Sequence, residues 1–169
     1  MSFSGDIKIN LVDPAGFDIE ITDGDFSQDD GILTAILISL FTDRQASTDD
    51  PLPGNNSDRR GWWADELFSE PIGSKLWLLE RAKLTENNIA LFTQYAEDAL
   101  KWMVNRKLCS KVTITVSRDS SNLEKLNFTI GISRTGKRST ASSQTTSELL
   151  YNFNLKWDTM SASLSGSSE

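Results

Sequence analysis

A chain of 169 residues, 38% hydrophobic and 24% charged, suits one globular domain that buries about 70% of its unfolded surface. It has no histidine, which excludes Ser-His-Asp and Cys-His nucleophiles and histidine-based zinc sites, and its net charge of −7 disfavours a nucleic-acid partner. A single cysteine, no apolar run of about 18 residues and an N-terminus without a signal-peptide pattern point to a reducing compartment and no membrane span.

The opening predicts a β-hairpin. IKINLV and FDIEI alternate around the turn DPAG, with Ile7, Ile9 and Leu11 on one face and Phe17, Ile19 and Ile21 on another. The acidic run TDGDFSQDDG follows. Counted from Asp23, an EF-hand loop needs Gly sixth and Glu twelfth, but Gln28 and Thr34 stand there. Asp29 or Asp30 is instead expected to cap the next helix. That helix, GILTAILISLFTD, is apolar nearly all round through Ile32, Leu33, Ile36, Leu37, Leu40 and Phe41, so it is buried centrally or covered by partners. A long loop, RQASTDDPLPGNNSD, comes next and has the length and turn residues of an interaction loop.

PIGSKLWLLERAKL predicts a short helix capped by Ser74, and Thr85 begins the longest helix, to about Asn105. Ile89, Phe92, Tyr95, Ala96, Ala99, Leu100 and Met103 recur at spacings of three and four on its buried face, with Trp102 turned toward another element. Three alternating strands follow: Val112, Ile114 and Val116; then Leu126, Phe128, Ile130 and Ile132; then Tyr151, Phe153, Leu155 and Trp157. Cys109 reads as a core residue at the entry to the first of them. The basic, polar stretch SRTGKRSTASSQTTS is expected to be a mobile connection, and SASLSGSSE a flexible tail. The fold class expected is α+β: an N-terminal hairpin, a helical first half, and a long helix on a three-stranded antiparallel sheet. The organisation expected is a single domain over 1–157, with 1–24 as a hairpin appendage and 158–169 as a Ser-rich tail.

Charge is uneven along the chain. Residues 1–60 carry 12 acidic and 4 basic side chains, net −8; residues 61–169 carry 12 and 13, net +1. Such a molecule suits docking beside differently charged neighbours.

The densest constellation is DRRGWWADE, residues 58–66. Asp65, Glu66 and Glu70 are the carboxylates available for a glycosidase pair, although such clusters are ordinarily the solvated first turn of a helix. Trp62 and Trp63 could stack on sugars or bases, and Arg59 and Arg60 could clamp phosphate, but the surroundings are acidic. Structurally, Gly61 allows a tight turn, the two tryptophans seal the core or an interface, and the arginines pair with Asp58, Asp65 or a neighbouring chain.

Three blocks, DDGILTAILISLFTDRQA, DDPLPGNNSDRRGWWADE and GSKLWLLERAKLTENNI, resemble the tail baseplate wedge family of Mu-like contractile phages. That family runs from a DDGL..A..ISLFTDRRA helix through an acidic Pro-Gly loop to DRRGWWGD and GSRLWLL. The match covers about residues 25–116 in order. The family is in turn related to the T4-type wedge component with a lysozyme-like α+β fold, whose P.FGS.L segment PIGSKL resembles. Ala64 replaces the usual glycine, and VNRKLCSK, with Arg106, stands where the T4-type branch has Glu-Pro-Arg. The resemblance implies a non-enzymatic wedge subunit, without catalytic residue, cofactor or metal, that joins the tail hub and sheath to the peripheral baseplate. Its implied partners are other wedge proteins, hub or spike, and sheath, in multiple copies around a six-fold baseplate. Its implied location is the virion tail, after assembly in the host cytoplasm. The residues implied to matter are Asp58, Arg59, Arg60, Gly61, Trp62, Trp63, Asp65, Gly73, Ser74 and Trp77. The arginines are expected to face neighbours, with Asp43 or Asp65 as their partners if they are internal braces. The alternative function is a tail peptidoglycan hydrolase using a carboxylate pair.

Overall fold

The computed structural model describes all residues except 1–5, 8, 13–15, 20, 23–24, 27, 30, 55–56, 64, 68–70, 121, 123–124, 137–144, 158–160 and 169. The chain opens with short strands: β1 (Asp6–Ile7), β2 (Ile9–Val12), β3 (Gly16–Ile19), β4 (Ile21–Thr22), β5 (Asp25–Phe26) and β6 (Gln28–Asp29). The expected hairpin is β2 against β3, with Ile9 opposite Ile19 and Val12 opposite Gly16. The acidic run holds two further strands. β5 folds back on β4, and β6 returns to pair with β1. The backbone of Asp29 belongs to β6, and the cap expected from Asp29 or Asp30 lies outside the described residues, because the Asp29 side chain is not among them. The residue before the helix is Gly31, at φ +70 and with no side-chain cap, while Asp30 lies outside the described residues.

Helix α1 (Ile32–Phe41) buries Ile32, Thr34, Ile36, Leu37, Ser39 and Leu40, as its uniform apolarity predicts. Leu33 and Phe41 are only half-buried, and Ile38 is 47% exposed. A four-residue 3-10 turn, Leu76–Leu79, stands where a short helix was expected. Helix α2 (Glu86–Asn105) starts where predicted, with the Thr85 side chain accepting from Asn88 N–H at 3.3 Å. Phe92, Ala96, Ala99, Leu100 and Met103 form its buried face. Trp102 does reach another element, donating Nε1–H to Ser39 Oγ of α1 at 2.9 Å. Ser39 in turn donates to Ala35 O at 2.7 Å, so this buried hydroxyl is satisfied on both sides.

The antiparallel meander is β7 (Lys111–Arg118), β8 (Lys125–Gly136) and β9 (Thr145–Lys156). β8 and β9 pair from Lys125–Lys156 out to Gly136–Thr145, so part of the stretch expected to be a mobile connection is strand. The larger correction is at the end of the chain. Ser161–Ser168 is not a flexible tail but a fourth strand, β10, antiparallel to β9 with a register shift between Leu164 and Ser167. A free strand edge offers a row of unpaired N–H and C=O groups, and pairing with it is a backbone event that a Ser-rich composition does not announce. β10 also lies beside β2, which ties the N-terminal hairpin to the sheet.

The core sits between α1, α2 and one face of the sheet. Phe92 meets Phe128 edge-on at 5.2 Å between ring centroids, and Phe128 stacks on Phe153 at 4.8 Å. Each such pair adds about 0.5–1.5 kcal/mol beyond area burial. Leu126, Ile130, Ile132, Leu155 and Trp157 complete the sheet face. Trp157 Nε1–H donates to Ala82 O at 2.7 Å, so even the indole at the end of β9 is anchored. Cys109 is buried as expected, and burial pushes its thiol pKa up.

Candidate functional site

Three segments that leave the helices are stitched together beside this core: 42–48, 58–61 and 71–77. The stitching begins at Gly73, where two backbones touch. Gly73 has φ +95, and a Cβ there would lie 2.3 Å from Thr42 O and 3.2 Å from Arg44 N. No side chain fits that space or favours that φ. The close approach lets Ser74 N–H donate to Thr42 O and Arg44 N–H to Ser74 O, each at 2.9 Å, as a single parallel bridge. Ser74 is buried. Its hydroxyl donates to Leu40 O at 2.5 Å, satisfying a carbonyl left over at the end of α1, and accepts from Leu76 N–H at 3.2 Å. Ser74 thus bonds the first N–H of the 3-10 turn, but the residue that precedes the turn is Lys75, which makes no side-chain cap. Trp77 is only 5% exposed and donates Nε1–H to Arg44 O at 2.8 Å.

The long loop is pinned to the same seam. Asp50 Oδ2 accepts from Ser47 N–H at 2.7 Å, from Ser47 Oγ at 2.8 Å and from Lys75 Nζ at 2.5 Å. Burial by itself raises the Asp50 pKa, but the hydrogen bonds from Lys75 and Ser47 prevail and hold the carboxyl below the ordinary aspartate range. Ala46 N–H donates to Arg59 O at 3.0 Å, and the Arg59 guanidinium reaches Ser47 O and, at 3.1 Å, Thr48 O.

Arg60 is the centre of the arrangement. It takes a left-handed conformation, φ +49, with its own N–H donating to Asp58 Oδ1 at 2.9 Å. Its guanidinium forks between Asp43 (2.7 Å) and Glu80 (2.8 Å) and lies 4.6 Å from the Trp77 ring centroid. Partial burial disfavours the charge, yet the hydrogen bonds and charges of Asp43 and Glu80 outweigh it and raise the pKa. Both arginines are thus internal braces. Neither guanidinium pairs with Asp58 or Asp65. Asp43 is the brace expected as the second choice; Glu80, Asp50 and Lys75 lie 20 or more positions from their partners and left no local signal.

Gly61 makes the expected tight turn at φ +109, since a Cβ there would sit 2.8 Å from Gln45 Cβ. The tryptophans do not seal the core. Trp62 is half-buried and Trp63 is 81% exposed, their ring centroids 5.8 Å apart. The buried indole is Trp77, so of the two expected roles, sealing the core or an interface, the first does not apply to the pair. After the tryptophans a 3-10 turn, Asp65–Leu67, leaves Leu67 75% exposed. Asp65 is not a solvated first-turn carboxylate. Oδ1 accepts from Ile72 N–H at 3.1 Å, and buried Oδ2 has no hydrogen-bond partner among the described residues. Ala64, Glu70 and the Glu66 side chain lie outside the described residues.

Chemically, this is a brace carrying an apolar tip. Asp43, Asp50 and Glu80 are each engaged by a cation, and both guanidiniums are occupied. Among the described residues no cluster of three potential metal ligands occurs, and no helix is long and apolar enough to cross a membrane.

The geometry can be set beside known proteins. The profile of the family described as phage protein GP46 matches residues 32–139, which run from α1 through the seam and α2 into the β8–β9 connection. The chain is 44% identical over 90 residues to the baseplate protein gp46 of Escherichia phage Mu, covering 53% of this chain and 62% of that protein. It is 36% identical over 90 residues to the Mu-like prophage FluMu protein gp46 of Haemophilus influenzae, covering 53% and 59%. The aligned stretch thus spans about three fifths of each of these relatives. With nearly two thirds of its length inside the family profile, the chain belongs to the phage protein GP46 family.

Proposed function

We propose that this chain is a non-enzymatic structural subunit of a contractile-tail baseplate, holding a wedge position between the hub and sheath and the peripheral baseplate. The observation that carries the reading is the 44% identity to a protein named for the baseplate of phage Mu. The geometry is in keeping with it. Trp63 and Leu67 project from a segment that Arg59, Arg60 and Gly61 hold rigid, and a rigid exposed aromatic beside a fixed charge is how interface anchors are commonly built. The contact surface presented to a neighbouring wedge, hub or sheath chain is then Trp63 with Leu67, and the arginines act behind it as its support. The engaged carboxylates and guanidiniums leave little for acid–base chemistry or for a phosphate clamp, which favours this reading over a hydrolase or a nucleic-acid module.

Mass spectrometry of purified tails should find the chain in the baseplate. A Trp63→Asp chain that melts like the wild type should fail to restore tails when it replaces the native copy. Normal tails from that variant would remove the contact surface. Absence of the chain from purified baseplates would remove the structural role itself. Clearing of bacterial cell walls in a zymogram, lost on Glu66→Gln, would replace both with the hydrolase.

A further inference from the structure

A groove of about 920 Å³ runs between α1 and α2 and is closed at one side by residues 71–75. The stitched seam forms that side of it, and the Trp63–Leu67 tip lies outside it. Its apolar lining includes two residues that are costly to leave in water: Ile38 of α1, 47% exposed, and Leu91 of α2, 37% exposed. Trp102 lies between the helices, held by its bond to Ser39, with the Arg106 guanidinium 5.6 Å from its ring centroid. Along α2 the lining runs from Leu91 to Asn105, a distance of about 21 Å at the helical rise, or four turns.

Charge sets the groove apart from the rest of the molecule. It is lined by Arg44, Lys75, Lys101 and Arg106 against only Asp50 and Asp98, on a chain whose net charge is −7. Lys75 is paired with Asp50, whereas Arg44 and Lys101 form no ion pair among the described residues.

We propose that this groove is a docking site for an amphipathic helix of a partner chain, with an apolar ridge flanked by carboxylates. The two long walls are helices, whose backbone groups are paired internally, and on the side closed by residues 71–75 Ile72 N–H, Ser74 N–H and Ser74 O are already taken by Asp65, Thr42 and Arg44. An extended guest would find no ladder there, whereas a helix brings its own hydrogen bonds and needs only side-chain contacts. The ridge would cover Ile38, Leu91 and Trp102, and the flanking carboxylates would meet Arg44 and Lys101. The apolar floor and the modest positive excess favour such a helix over nucleic acid. The site goes beyond the baseplate reading and does not depend on it.

The test uses the purified full-length chain and fluorescence anisotropy with a lactam-stapled peptide of about 16 residues, stapled because short helices are marginal in water. The peptide carries leucines along one ridge and glutamates on both flanks. A second peptide has lysines in place of the glutamates, and a third is a scramble of the first. The glutamate peptide should bind saturably and better than the other two. Ile38→Glu and Leu91→Glu should each weaken it by about tenfold or more, as for a buried anchor. Arg44→Glu with Lys101→Glu should turn the preference toward the lysine peptide. Circular dichroism melts of each variant must match the wild type, as expected for exposed Ile38, Leu91 and Lys101. Because Arg44 is half-buried, Lys101→Glu alone is the control for charge reversal, and it should weaken the glutamate peptide relative to the lysine peptide. Equal binding of the scramble, no saturable binding, or a preference unmoved by charge reversal would overturn the proposal. Concentration-dependent self-association that Ile38→Glu abolishes would overturn it in favour of a second copy of this chain. None of these outcomes bears on whether the chain is found in baseplates.

Discussion

The helix–sheet core and the stitched seam stabilise the same chain by different means. In the core, Phe92, Phe128 and Phe153 meet by apolar contact, and what matters is volume filled and water excluded. In the seam, nearly every contact is a directed hydrogen bond to a backbone carbonyl or a carboxylate, and its closest contact depends on a position with no side chain at all, Gly73. The core should therefore tolerate reshaping but not deletion, and the polar contacts of the seam, its buried Trp77 set aside, should tolerate loss of a side chain better than gain of one. Phe128→Ala should cost about 3–5 kcal/mol in urea unfolding, whereas Phe128→Leu should cost clearly less. Gly73→Ala adds one methyl group yet should cost about 3 kcal/mol, from left-handed strain together with the lost Thr42–Ser74–Arg44 bridge. A Gly73→Ala chain within about 1 kcal/mol of wild type would erase the contrast.

The two regions also differed in how far the sequence revealed them. Alternation at Leu126, Phe128, Ile130 and Ile132 fixes which face of β8 is buried, because the side-chain period of a strand is two whatever it packs on. Spacing of three and four placed the buried face of α2, and Thr85 marked its start. The seam follows no period. Arg60 finds Asp43 and Glu80 at separations of 17 and 20 residues, through a turn in which both Arg60 and Gly61 have positive φ. The residue types in DRRGWW identified a special segment and could not say which tryptophan would face inward. That depends on backbone dihedrals, and the buried indole proved to be Trp77, 14 residues beyond the exposed Trp63. β10 was hidden for a related reason: its evidence is an open edge on β9, a property of the sheet and not of SASLSGSS.

Arg60 allows the seam to be probed without disturbing the core. Its fork and its place over Trp77 are about one-third exposed, so Arg60→Ala should cost roughly 1–2 kcal/mol, the sum of a screened ion-pair network and a cation–π contact. Arg60→Gly loses the same contacts but relieves the left-handed backbone. It should be more stable than Arg60→Ala by about 1 kcal/mol, the reverse of the usual order for glycine and alanine. Thermal melts of the two variants side by side decide this. If alanine is the better of the two, the φ of +49 is not what limits this position.

Asp50 gives a smaller effect with a defined pH window. Its folded-state pKa is depressed, so its contribution is fully present above the unfolded-state value, near pH 4, and is lost as pH falls through the folded value. Asp50→Asn should be less stable than wild type by about 0.5–1 kcal/mol at neutral pH, and the gap should narrow as pH falls below about 4. A gap that stays constant across this range would mean that the bonds from Lys75 and Ser47 do not depend on the charge of Asp50.

The smallest effect on folding is expected at the most conspicuous residue. Trp63 is 81% exposed, and its nearest described aromatic neighbour, Trp62, lies at a tilted 5.8 Å. Little apolar area returns to water when it is truncated, so Trp63→Ala should leave unfolding within about 0.5 kcal/mol of wild type, as for surface substitutions elsewhere. Trp77→Ala, which removes the same side chain from a buried site and leaves Arg44 O without its donor, should cost about 3–5 kcal/mol. The two substitutions are chemically identical, so the difference between them measures burial and anchoring alone. If Trp63→Ala were as damaging as Trp77→Ala, Trp63 would be packed in solution, and the projecting tip on which the proposed contact surface rests would not exist.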